Sequence, residues 1–145
     1  MRRLSLATLL LVLLCRVCVA DDVADVSNAT NDMYRALNAK DLKGIEVYIP
    51  KGGFTEFNSE HKDLQIIDGR LFKGAFDAGV VINLHIEQLR ARVMGHTAIV
   101  TGYRVGSITF PDGKVVNDRS CLTMNWTKDK TWTLQHVHLS QCAAG

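Results

Sequence analysis

Val23, Val26, Thr30, Met33 and Leu37 recur at helical spacing and predict a long first helix from Asp21 to Ala39, with acidic residues in its first turn where the helix dipole favours them. Asp41 can cap a short second helix carrying Leu42 and Ile45, which Pro50 and Gly52-Gly53 terminate. Phe54 to Phe57 reads as a short strand. Leu71, Phe72, Phe76 and Val80 then suggest a third helix after Asp68-Gly69. Beyond Asn83 the pattern changes to β-branched and aromatic runs: His85 to Met94, Thr97 to Phe110, Lys114 to Thr127 and Trp132 to Gln141. The short separators Gly95-His96, Pro111-Asp112-Gly113 and Lys128 to Thr131 imply antiparallel hairpins. Helices followed by a four-stranded meander is an α+β order, with the helices covering one face of the sheet.

Pairing Thr127 with Trp132 around the last turn fixes two faces, because side chains alternate and opposed residues share a side. Leu122, Met124, Trp126, Val137 and Leu139 form the expected core face. Thr123, Asn125, Trp132, Leu134, His136 and His138 form the other, and this face is too apolar for a merely solvated sheet, which suggests a subunit contact. His136 and His138 stand roughly 7 Å apart along the strand. Two ligands do not make a zinc site, and His61, His85 and His96 form no group with them, so no metal is expected. The same register puts Cys142 roughly 13 Å from Cys121, beyond disulfide reach unless the tail doubles back, so the two are not expected to pair.

The first twenty of the 145 residues alter the setting. Arg2-Arg3, an apolar run from Leu4 to Leu14, and Cys18-Val19-Ala20 before Asp21-Asp22 have the charged, apolar and small-residue regions of a secretory signal peptide, cleaved after Ala20. The apolar run is too short for a membrane span and Arg16 interrupts it. Residues 21–145 are then one exported domain, secreted or periplasmic, with Cys121 and Cys142 its only cysteines. Net charge is +2 with the basic residues scattered, so neither nucleic acid nor, after cleavage, a membrane is an expected partner. Asn28-Ala29-Thr30 and Asn125-Trp126-Thr127 fit the N-glycosylation pattern, which matters only in a eukaryotic host.

The run from Trp126 to Ser140, two tryptophans bracketing a charged turn and then His136-Val137-His138-Leu139-Ser140, resembles the closing hairpin of the association domain of calcium/calmodulin-dependent protein kinase II. Phe54-Thr55-Glu56-Phe57 with Glu60 and Asp68-Gly69 is similar to that family's earlier strand and loop, and Tyr103-Arg104 to its middle strand. The resemblance implies an NTF2-like (SnoaL-like) cone in which a curved antiparallel sheet wraps a long helix and leaves a pocket at its open end. It also implies self-association through the outer sheet face, with Trp132, Leu134, His136 and His138 as interface candidates.

The family's pocket is lined by arginines that favour anions. Here only Arg104 matches such a position, while Met124 and Leu139 occupy two others, so the resemblance implies an apolar pocket with one cation. Gly102 and Gly106 flank Arg104 on the same face and are expected to leave room around it. Lys73 stands near a pocket histidine of the family. The chain has neither a Gly-rich phosphate loop nor a His-Arg-Asp catalytic signature, and no basic amphipathic helix of the calmodulin-target kind.

The expected function is therefore a non-catalytic module, at least dimeric, with a pocket for a small ligand and no cofactor. The alternative is an isomerase, cyclase or dehydratase using acid–base chemistry in the cone, for which Glu56, Tyr34 and Lys73 are the candidates.

Overall fold

The computed structural model describes residues 6–142, with side chains from Asp21 onward. The expected signal peptide at 1–20 lies outside the residues whose side chains are described. The first helix, α1, spans Leu6–Asn38. It thus starts earlier than the Asp21 boundary read from periodicity, in a leucine-rich stretch with strong helix propensity. Its buried residues Val26, Ala29, Thr30, Met33, Tyr34 and Leu37 make one stripe at three- and four-residue spacing. Thr30 is buried without cost because its hydroxyl donates to the Val26 carbonyl at 2.9 Å.

Two aspartates start the remaining helices. Asp41 accepts from the Gly44 amide at 3.1 Å to open α2, Leu42–Glu46. Asp68 accepts from the amides of Arg70 and Leu71 at 3.0 and 3.1 Å to open α3, Gly69–Asp77. Phe72 and Phe76 of α3 pack against the core, whereas Val80 falls beyond the helix end.

The strands are β1 (Phe54–Phe57), β2 (Gln65–Ile67), β3 (Val81–Met94), β4 (Thr97–Thr109), β5 (Val115–Lys128) and β6 (Trp132–Gln141). The meander β3 to β6 is antiparallel throughout, as the turn residues imply. β1 adds to it in parallel beside β6, and β2 pairs with β1, so one six-stranded sheet runs in the order β2-β1-β6-β5-β4-β3. Helix α1 lies against this sheet, mainly along β3, where both amide atoms of Asn38 bond the Leu84 backbone at 2.8 and 2.9 Å.

The sheet bends at identifiable residues. A register shift between Glu87 and Arg90 bulges β3, with Gln88 at φ 51°. Gly102 lies across from it, while Gly106, opposite Leu84, sits at φ 139°, and a Cβ there would come within 2.0 Å of the Asn83 carbonyl oxygen. A Cβ on Gly102 would meet the Ile86 side chain at 2.7 Å. The two glycines therefore do not leave free space around Arg104; they let β3 press against β4.

A second irregularity changes the reading of the last hairpin. Trp126 pairs with Leu134 and Asn125 with His136, so Gln135 has no partner on β5. This one-residue bulge reverses the alternation along β6. Leu134, fully buried, and Trp132, 3% exposed, belong to the core with Trp126, Met124, Leu122, Val137 and Leu139, and not to the outer face assigned to them by a regular hairpin. His136 and His138 do lie outside, beside Thr123 and Asn125.

At the turn Lys128, not Thr127, pairs with Trp132, and this one-residue offset adds to the bulge to bring the cysteines together. Cys121 faces Ser140 instead of His138, so Cys142 follows two residues later on the same side. A Cys121–Cys142 disulfide closes, with Cα atoms 5.3 Å apart, and corrects the expectation that the two would not pair.

Candidate functional site

Between α1, α3 and the concave face of the sheet lies a cavity of about 180 Å³. Its walls are mostly apolar, with Met33 and Leu37 from α1, Phe72 from α3 and Ile82 and Val137 from the sheet. Three polar side chains enter it: Tyr34 from α1, Glu56 from β1 and Arg104 from β4. These were three of the four residues expected there. The fourth, Lys73, points away from the core on α3, pairs with Asp77 at 2.5 Å and is largely exposed, so it takes no part. The helix turns its Phe72 and Phe76 face inward, and Lys73 lies off that face.

A second cavity of about 110 Å³ adjoins the first, sharing Arg104 and Ile108 as lining. Phe110, Leu139, Glu60 and Asp118 also border it. Asp118 is the decisive addition. Its carboxylate accepts from Arg104 Nε through one oxygen and from the Ser120 hydroxyl through the other. The Arg104 and Asp118 side chains are only 20% and 10% exposed. Burial by itself would lower the Arg104 pKa, but the charges of Tyr34, Asp118 and Glu56 and the hydrogen bond to Asp118 outweigh it and raise it.

Tyr34 feels the same surroundings in the opposite sense. Burial pushes its phenol up to about 12; Arg104 pulls it down, while Glu56 and Asp118 push it further up. Tyr34 is therefore a neutral hydrogen-bonding group at any ordinary pH. Glu56 accepts from the Asn58 side-chain amide at 2.7 Å.

Asp118 was absent from the residues singled out in the sequence, although a signal for it exists. The turn Pro111-Asp112-Gly113 pairs Thr109 with Val115, and counting back puts Arg104 opposite Ser120 and Gly106 opposite Asp118. Arg104 and Asp118 then share a face at diagonal spacing, within reach of a long side chain.

The other candidate surface is the outer sheet face. Phe57 on β1 is 45% exposed, and its ring lies 5.8 Å from that of His136 and 6.3 Å from that of His138. Thr55 Oγ1 and His136 Nδ1 are 2.8 Å apart, which fixes the imidazole in its plane. Phe57, with the exposed Ile66 and Ile99, thus replaces Trp132 and Leu134 as the apolar part of this face. Of the two sequons, Asn28 is exposed on α1 and Asn125 is half-buried on the outer face between Ile99 and His136.

No family model matches the sequence, and no curated protein matches it. Solved structures do. The chain is similar to the hub of calcium/calmodulin-dependent protein kinase II (CaMKII) from S. rosetta, at 24% identity over 83% of this chain and 96% of that one, with a TM-score of 0.66. It is similar to an NTF2-like protein from Cytophaga hutchinsonii at 9% identity, 81% and 95% coverage and a TM-score of 0.68. The fold is NTF2-like. A ketosteroid isomerase-like protein from Erwinia carotovora atroseptica shares it as well, at 14% identity, 85% and 98% coverage and a TM-score of 0.65. At these identities the likeness describes the NTF2-like fold alone, and one fold hosts unrelated functions.

Proposed function

We propose that this chain is an exported, non-catalytic association module that self-assembles through the outer face of its NTF2-like sheet and holds a small ligand in the cone. The observation that carries the reading is the exposed Phe57 lying against His136 and His138 on that face. An exposed aromatic residue flanked by hydrogen-bonding side chains is the composition of interface centres. The fold shared with a CaMKII hub supports the same reading.

Two further features support export. The N-terminal pattern is that of a cleaved signal, and the Cys121–Cys142 disulfide suits an oxidising compartment. Light scattering on the processed protein at micromolar concentration tests self-assembly. A mass of two or more chains is expected, and a strict monomer contradicts the proposal.

A catalytic reading draws on a different observation: Tyr34 and Glu56 face one apolar-walled cavity, as an acid–base pair would need. It is the weaker of the two, because burial holds the Tyr34 proton too tightly for exchange near neutral pH.

A further inference from the structure

The two cavities form one electrostatic unit, since Arg104 lines both. Arg104 is the sole cationic side chain among the described lining residues, and its guanidinium is bound to the largely buried carboxylate of Asp118. That pair is close to neutral as seen by a ligand, because each charge is already compensated by the other at contact distance. Two more carboxylates remain, the half-buried Glu56 in the larger cavity and the exposed Glu60 at the border of the smaller one. Among the described residues neither forms an ion pair; Glu56 has only the neutral Asn58 amide as a hydrogen-bond partner.

Leaving aside the solvent-exposed Glu60, one positive group therefore stands against two negative ones, Asp118 and Glu56, and Glu56 faces the larger cavity, whose other walls are mainly apolar. Low-dielectric walls strengthen such a field and raise the local concentration of the opposite charge.

We propose that the cavity selects a small organic cation, an apolar body bearing one ammonium group, and disfavours carboxylates and phosphates. The ammonium pairs with Glu56, and the body lies against Phe72, Ile82 and Val137. Tyr34, held protonated by burial, supplies a neutral hydrogen-bonding partner beside it. A volume of about 180 Å³ is below the range of drug-sized pockets, which limits the body to about one ring. The charge preference is opposite to the one that an arginine-lined pocket would have. It rests on the ligand-binding part of the function proposed above.

The test uses three probes with one ring and different charge, namely benzylamine, benzyl alcohol and benzoate, titrated into the processed wild-type protein by calorimetry at low salt. Benzylamine is expected to bind tightest and benzoate weakest, the two differing by about tenfold or more, the factor that one modest charge contact supplies. Glu56→Gln should reduce benzylamine binding to the level of benzyl alcohol. Asp118→Asn releases Arg104 and should raise benzoate binding.

Benzoate binding as tightly as benzylamine to the wild type overturns the charge preference and leaves the ligand pocket standing. Failure of all three probes removes the ligand pocket and the charge preference together. If Asp118→Asn does not fold, Glu56→Gln remains decisive, because that carboxylate holds no ion pair; an unchanged benzylamine affinity in it overturns the assignment to Glu56.

Discussion

Replacing both Cys121 and Cys142 by serine should destabilise the domain by about 3 kcal/mol. The bond joins positions 21 residues apart. In the chain-entropy description a loop of that size removes about 11 cal/mol/K from the unfolded ensemble, or about 3 kcal/mol at 25 °C. With an unfolding entropy near 2.1 cal/mol/K per residue over about 120 ordered residues, this corresponds to a fall in Tm of about 12 °C. Thermal unfolding of the processed protein and of the double serine variant measures it. Wild type unfolded in the presence of reductant should approach the variant. The supporting chemical assay is a thiol titration in denaturant without reductant, where no free thiol is expected. Two free thiols per chain in protein folded under oxidising conditions would refute the reasoning, and with it the register of β5 and β6 that brings Cys142 back to Cys121. A Tm difference within about 2 °C would refute the magnitude, since it corresponds to well under 1 kcal/mol.

The same register is tested from inside the core by Leu134→Ala. Leu134 is fully buried, so the loss should be about 2–5 kcal/mol by chemical denaturation, against under about 0.5 kcal/mol for an outer-face residue in a regular hairpin. Tyr34 gives a pH prediction. Its folded-state pKa of about 12 lies above the unfolded value of 10.0, so its contribution to stability is present in full below pH 10 and is lost as pH rises towards 12. Ultraviolet difference titration of wild type against Tyr34→Phe should assign the last phenol to ionise to Tyr34; a phenol titrating near 10 at that position would contradict its burial beside Glu56.

The elements were legible where local chemistry decides them. Asp41 and Asp68 announce the second and third helices, and the Pro-Asp-Gly and Gly-His turns announce the hairpins. The bulge at Gln135 was not legible, because Trp132, Leu134, His136 and His138 occupy even positions and alternation places all four on one side. What separates them is a tertiary demand. The first two complete the core with Trp126, while the second two meet Phe57 from β1, a strand whose parallel pairing with β6 has no local signature. The disulfide was missed for the same reason, since its distance follows from the register.

In the pocket, Arg104 was named from the resemblance and Tyr34 and Glu56 as acid–base candidates, while Asp118 was not named, although the turn at Pro111 to Gly113 placed it on the right face. Lys73 illustrates the converse. A position carried over along a loosely matched helix failed because only the Phe72 and Phe76 face turns inward. Gly102 and Gly106 were rightly seen as special, but their role is to admit the neighbouring strand.

Self-assembly through the outer sheet face is tested most directly by the solution mass of the processed wild-type protein beside that of Phe57→Asp. A wild type of at least two chains and a variant shifted to monomer with an unchanged unfolding transition are expected. A wild type that stays monomeric at micromolar concentration, or an oligomer that carries a full glycan on Asn125 in the middle of the assigned contact, would contradict it.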